Sequence, residues 1–388
     1  MPRALQLGLF YCAVFAGTGV SLPYMPLWFE AQGLTGAQIG LILAAPMLAR
    51  IVIAPGLAIW ADGFVLRRTP IILFGVASGL SYGLIGVTHG FVAWLLCWLA
   101  ATSFLAMTTP LADVLSLRRA RAEGFSYGHA RGLGSVAFVA ANVGMGAMLA
   151  WVKPDLILVW TTVAALGVGL AGRFLLPADP VHEGGERPGR GARWRGMSDL
   201  LRNRAFLLAI VATGLIQATH AFYYAFSSLL WTAQGLPKAT IGLLWATGVA
   251  MEVAFMWFLE PWRRRMGPER LVIIGGLAAV VRWTALAFSP GPWLLFPLQA
   301  LHAFSFAAVF MASLQLIERS APAHSASAAQ TISSSLAGGL FIGLATLASG
   351  PLYDAVGPRG YLAMAALAAV GLVFAVRLAR GAGTAART

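Results

Sequence analysis

Residues 31–43 read AQGLTGAQIGLIL, and residues 233–245 read AQGLPKATIGLLW. AQGL recurs at an offset of 202 residues, and IGL recurs in the same register, at 39–41 and again at 241–243. Two short matches in one register are hard to obtain by chance. Each falls in a turn between long apolar runs, the first and second in one case and the seventh and eighth in the other. The chain therefore reads as two related halves.

Outward from these turns, apolar runs cover about 4–29, 38–60, 70–88, 91–112, 127–151, 155–177, 204–231, 239–259, 270–289, 291–317, 327–350 and 360–379. The composition demands lipid around them. Of 388 residues, 59% are apolar and 11% charged, against roughly 25% charged in an ordinary soluble domain. Mean hydropathy is +0.77, more apolar surface than soluble cores can hide. A cytosolic enzyme, a disordered chain and a secreted disulfide scaffold are excluded. A span with its turn takes roughly 25–35 residues, so the length holds about twelve. The fold class expected is an all-α membrane protein with twelve transmembrane helices in two pseudo-symmetric six-helix halves. The first run, behind Arg3, is longer than a signal peptide's apolar core and is taken as the first span.

The net charge of +13 does not call for nucleic acid, because the basic residues cluster in short segments between apolar runs. With the N-terminus inside, the inner segments hold 21 of the 27 arginines and lysines and the outer loops only Lys153, Lys238 and Arg359. That asymmetry places both termini in the cytoplasm, by the positive-inside rule, of a chain expected in a bacterial inner membrane. The longest polar stretch, ADPVHEGGERPGRGARWRGMSDLLR at 178–202, reads as a cytoplasmic linker between a bundle at 1–177 and one at 203–388. Its Trp194 among arginines could also touch the membrane surface. Cys12 and Cys97 lie in apolar runs and show no disulfide or metal pattern. No cofactor and no metal are expected. The partners expected are lipid, protons and a small-molecule substrate, for a chain working as a monomer.

A charge at the bilayer centre costs roughly 2.5–3.5 kcal/mol on insertion scales, so it needs a partner or a wet cavity. The ionisable residues inside or at the ends of spans are Arg50, Asp113, Arg131, Glu252, Arg282 and His302. The repeat offset sets Arg50 against Glu252. Arg131, Ser135, Phe138 and Asn142 share one helix face. Gln217, His220, Tyr224 and Ser228 make a polar stripe on span seven, and Gln299, His302 and Ser305 make one on span ten. Such stripes either face a cavity or bond neighbouring helices at about 1 kcal/mol or less per bond. The midmembrane set leaves one cation over, which favours an anionic substrate. Repeated halves are a mark of secondary transporters, whose substrate sites lie near the midplane between the halves. No HExxH and no Cys–His pairing supports an enzyme.

The block PLADVLSLRRARAEGFSYGHARGLGSVAF (110–138), with QATHAFYYAFSSLLW (217–231) and LQALHAFSFAAVF (298–310), resembles the lactose permease-like branch of the major facilitator superfamily, closest to the phenylpropionate permease group. The resemblance implies the major facilitator fold. It implies that Asp113 and Arg131 hold substrate, with Phe138 where lactose permease has a stacking Trp. It places Glu252 in the span of that permease's second essential acid, and matches Arg282 and His302 to its arginine and histidine of spans nine and ten. Ser305 stands where that permease carries its proton on a Glu, and Gln299 replaces a lysine. Coupling would then fall to Glu252, Asp113 or His302. The resulting expectation is proton-coupled import of a small aromatic carboxylate by alternating access. The substrate-binding set is Asp113, Arg131, Ser135, Phe138, Asn142, Gln217, His220 and Tyr224; the proton-coupling set is Glu252, Arg282 and His302. A sugar or nucleoside symporter and an exporter of the same fold are the alternatives.

Overall fold

The computed structural model describes residues 1–180, 200, 202–320 and 326–385. Most of the expected linker, with Trp194, therefore lies outside the described residues. The first six helices are α1 (Arg3–Ala31), α2 (Gly36–Ala61), α3 (Arg68–Val87), α4 (Phe91–Glu123), α5 (Tyr127–Met148) and α6 (Asp155–Leu175). Span seven is α7 (Arg204–Ala218) continued by α8 (His220–Ala233), and span eight is α9 (Lys238–Phe258). The short α10 (Glu260–Met266) leads into span nine, α11 (Pro268–Leu286). Span ten comprises α12 (Pro292–Ala300), a π-helical turn (Ala303–Ala308) and α13 (Val309–Ser320). Span eleven has the same plan: α14 (Ala326–Ser335), a π turn (Leu336–Phe341) and α15 (Ile342–Val356). Span twelve is α16 (Tyr361–Ala385). Twelve spans are thus formed among the described residues.

Among the described residues, nine segments are long and apolar enough to cross a membrane by length and composition, and α5 and α11 are not among them. These are the helices that carry Arg131 and Arg282.

The repeated turn is reproduced in backbone detail. Leu34 N donates to Phe29 O at 3.2 Å and Gly33 N to Glu30 O at 2.9 Å; Leu236 N donates to Trp231 O at 3.0 Å and Gly235 N to Thr232 O at 2.9 Å. Gly33 has φ +86° and Gly235 φ +81°, the left-handed conformation that glycine adopts at least cost when it closes a helix. The first copy then restarts with a capping box: Gln38 N donates to Thr35 Oγ1 at 3.3 Å and Thr35 N to Gln38 Oε1 at 3.0 Å.

The chain forms two compact units, Met1–Gly185 with Trp231–Ala246, and Glu186–Leu230 with Thr247–Thr388. In the first, α1 packs against α5 and α6, and α3 against α4 and α6. Helix α4 runs past the expected stop at 112 as far as Glu123, so Asp113 lies within it. Its extension presents Arg119, whose Nε lies 2.9 Å from Oδ2 of the buried Asp179. Leu66 bridges to Pro180. The beginning of the linker is therefore anchored, because a carboxylate gripped by a guanidinium need not stay in water. In α10, Glu260 pairs with Arg264, 2.9 Å away, while Arg263 donates to Met256 O at 2.8 Å. That hydrogen bond from Arg264 holds the Glu260 carboxyl below its usual range.

In the first unit, α5 meets the start of α9 through glycines, with the Tyr24 hydroxyl between them. A Cβ on Gly146 would sit 2.7 Å from Lys238 O and 2.7 Å from the Tyr24 hydroxyl, and one on Gly242 would sit 3.0 Å from Asn142 O. Tyr24 Oη donates to Asn142 O at 3.0 Å in the same seam. Gly146→Leu is expected to cost about 1–3 kcal/mol, as for other overpacked contacts, read as a lower thermal midpoint in detergent. An unchanged midpoint would show that the seam yields freely.

In the second unit, α11 and α7 pack on α16. Span seven breaks at Thr219, whose Oγ1 donates to Ile216 O at 2.6 Å and accepts from Trp283 Nε1 at 2.7 Å. The π turn of span ten begins directly after His302. Gln217 Nε2 donates to Phe306 O in that turn, at 3.2 Å. A π turn widens the helix by a residue and leaves carbonyls to be met from outside, and such turns gather at functional sites.

Candidate functional site

Each unit builds a charge cluster among its spans. In the first, α4 supplies Asp113 and α5 supplies Arg131. Arg131 Nε is 3.9 Å from Asp113 Oδ1, and each side chain is 30% exposed. The carboxylate has a closer partner: Tyr11 Oη donates to Asp113 Oδ1 at 2.6 Å and lies 3.2 Å from Ser116 Oγ. The guanidinium carbon sits 4.1 Å from the Phe15 ring centroid and 5.2 Å from that of Tyr11. Among the described residues, Arg131 donates no hydrogen bond to another side chain. It is a half-exposed cation lying on an aromatic floor with its donors unspent.

The other members of the α5 stripe do different work. Asn142 is fully buried and its Nδ2 donates to Gly19 O at 3.2 Å. Phe138 is buried where a Cβ on Gly19 would meet its carbonyl at 2.5 Å. Ser135 is half-buried. No hydrogen bond or ring contact joins these three to Arg131 among the described residues. Asn142 is an interhelical bond between α5 and α1. Tyr11 and Phe15 were missed in the sequence. Their spacing of four puts both on one face of span one, but nothing in span one says that α5 lies opposite.

The second cluster centres on Arg282, whose exposure is 0%. Its Nη1 is 2.7 Å from His302 Nδ1 and 3.3 Å from Ser305 Oγ, and its Nη2 donates to Gln299 Oε1 at 2.8 Å. The rings of Tyr223 and Trp283 flank the guanidinium carbon at 4.6 and 4.5 Å. His302 Nε2 is 2.7 Å from Glu252 Oε1. The structure thus brings Glu252, His302 and Arg282 together in one line.

The direction of each bond follows from the chemistry. A guanidinium only donates, so His302 Nδ1 accepts, the ring proton is on Nε2, and Glu252 Oε1 receives it. His220 Nδ1 faces Gln217 O at 3.1 Å, and a carbonyl only accepts, so His220 carries its proton on Nδ1. Its Nε2 lies 3.3 Å from Ser305 Oγ. His302 is neutral in this arrangement. His220 therefore belongs to the Arg282 cluster, with its ring centroid 5.1 Å from that of His302. Tyr224 lies beside it, 5.8 Å from His220 by ring centroids. Gln217 serves the π turn. Arg50, by contrast, lies exposed on α2. No group of three or more metal-ligating side chains occurs among the described residues.

The family model described as "MFS_1 like family" matches residues 4–363. The "Probable 3-phenylpropionic acid transporter" of Escherichia coli (strain K12) is 30% identical over 377 residues, 94% of this chain and 95% of that protein. The "Maltose permease" of Geobacillus stearothermophilus is 27% identical over 362 residues, 91% of this chain and 88% of that protein. Among solved structures, the nucleoside transporter NupG is similar with a TM-score of 0.83 over 98% of this chain and 99% of that one, at 17% identity, a likeness of fold. With twelve spans and these relatives, the chain belongs to the MFS_1 like family and is a multi-pass membrane transporter of the major facilitator fold, not an enzyme.

Proposed function

We propose that the chain imports a small aromatic carboxylate together with a proton, by alternating access of the bodies 1–177 and 203–388 about the linker 178–202, in a bacterial inner membrane with both termini cytoplasmic. The observation that carries the substrate class is Arg131. It is a half-exposed guanidinium on the faces of Phe15 and Tyr11, with its nearest carboxylate held at 3.9 Å. A carboxylate meets the free fork of donors in bidentate fashion, and a ring attached to it finds aromatic walls. Ser135, one turn along α5, extends the polar side. The printed name of the 30% identical relative agrees with this class. Glu252 carries the proton, because His302 is already held neutral by Arg282.

The test is uptake into proteoliposomes under an imposed pH gradient, with 3-phenylpropionate, maltose and uridine run in parallel. Gradient-stimulated accumulation of the aromatic acid alone is expected. Accumulation of a neutral solute in its place would move the function to sugar or nucleoside symport, with Asp113 as the hydroxyl acceptor.

A further inference from the structure

Arg50 stands near the middle of α2, between Gly36 and Ala61. At a rise of 1.5 Å per residue it lies about 21 Å from one end of the span and about 16 Å from the other. The side chain is exposed, and no hydrogen bond, ion pair or ring contact reaches it among the described residues. Lipid does not accept such a cation. Arginines at this depth face the interior of a bundle or a water-filled space.

The burial pattern of α2 shows where Arg50 looks. Leu41, Val52 and Ile59, eleven and seven residues apart, share one helix face. Val52 and Ile59 are 79% and 75% exposed there, so this is the lipid face. Arg50, nine residues after Leu41, lies half a turn away from it. Three full turns to either side of Arg50, on its own face, stand Ile39 and Ala61, both buried. Ala54 and Leu57, on the same side, pack with Phe74 and Met107. The inward face of α2 is thus buried at both ends and open at Arg50. The backbone agrees. Pro55 has no N–H for the Ile51 carbonyl, and a carbonyl released at this depth has to be met by water or by protein.

Arg131 sits elsewhere in depth. It is four residues from the start of α5 at Tyr127, about 6 Å by the same rise. Tyr127 and Ala61 are two spans apart, so both lie toward the same side of the membrane. Arg50 is therefore the deeper of the two cations of the first unit.

We propose that Arg50 is a second carboxylate contact, in a water-filled recess on the inward face of α2, which receives the anionic end of the substrate deeper in the span than Arg131. This rests on the aromatic-carboxylate reading above and adds a second station to it. A guanidinium with its donors unspent meets a carboxylate in bidentate fashion. A neutral solute gains little at the same point.

The test puts a thiol in place of the guanidinium. Arg50→Cys is combined with Cys12→Ala and Cys97→Ala, which remove the two native thiols, and the full chain is reconstituted in proteoliposomes. Sulfonatoethyl and aminoethyl methanethiosulfonate, both charged and carried by water, are expected to modify the new thiol, and 3-phenylpropionate to slow the modification. The aminoethyl group returns a positive charge and should recover part of the 3-phenylpropionate uptake; the sulfonatoethyl group should recover none. In the otherwise native chain, Arg50→Gln should lower that uptake about tenfold or more, the loss of a charged hydrogen bond, with the thermal midpoint unchanged. A thiol that neither reagent modifies overturns the recess. Wild-type uptake by Arg50→Gln overturns the contact and leaves the aromatic-acid reading standing. Uptake of maltose or uridine by the wild type, with none of the acid, overturns that reading and the role of Arg50 with it.

Discussion

Arg282→Gln is expected to abolish uptake and to lower stability by about 3–5 kcal/mol, the usual cost of removing one partner from a buried ionic network. The side chain is fully buried and donates to three groups at once. Glutamine cannot reach His302 Nδ1, Ser305 Oγ and Gln299 Oε1 together, so acceptors are stranded. It also leaves Glu252 without a cation in the same line. The tyrosine and tryptophan rings that flank the guanidinium lose their filling as well. Arg282→Lys keeps the charge but supplies a single point in place of a planar fork, so it should recover part of the stability and little of the transport. Thermal unfolding in detergent and uptake, measured on the same preparations, check the two effects. Normal uptake by Arg282→Gln would remove the cluster from the transport mechanism.

Arg131→Ala should behave differently. Its side chain is 30% exposed and its one ion pair is long, so folding should lose at most about 1 kcal/mol. Uptake should fall steeply. Charged hydrogen bonds to a ligand are worth about 1.5–3 kcal/mol each, so losing a bidentate grip implies a loss of about 100-fold or more in kcat/KM. Arg131→Lys should retain a fraction of it. The contrast with Arg282 is the informative part: one arginine carries function with little stability, the other carries both. Uptake by Arg131→Ala at the wild-type rate, with thermal stability unchanged, would remove the substrate assignment.

Much of this architecture is legible in the sequence because lipid leaves the backbone few options. A chain with no water beside it must satisfy its own N–H and C=O groups, so long apolar runs become helices. The repeat at 31–43 and 233–245 is legible for a local reason. A helix that ends on a left-handed residue favours glycine, and Gly33 and Gly235 both take that conformation. The arginine and the histidine of spans nine and ten stand out because an ionisable residue in lipid demands an explanation. Both belong to the expected proton-coupling set, and a contact of 2.7 Å joins them in the structure.

Other features depend on neighbours. The length of α4 was underestimated because its last turns are polar; Arg119, in those turns, grips Asp179, sixty residues away. The role of Asn142 turned on Gly19, whose bare backbone offers its carbonyl where a larger residue would keep α5 away. The assignment of His220 turned on Ser305 and on the π turn that follows His302.

The sequence by itself determined the solvent, the number of spans, the repeat and the short set of charges that lipid would not accept without a reason. Periodicity and composition are properties of one helix at a time, and these are read from one helix at a time. Only the tertiary structure decided which charge faces which ring, that Asp113 is held by Tyr11 as well as Arg131, and that His302 accepts from Arg282 and is therefore neutral. Hydrogen-bond direction is a property of pairs. The partners here come from helices up to 123 residues apart in the chain, and no local pattern encodes that distance.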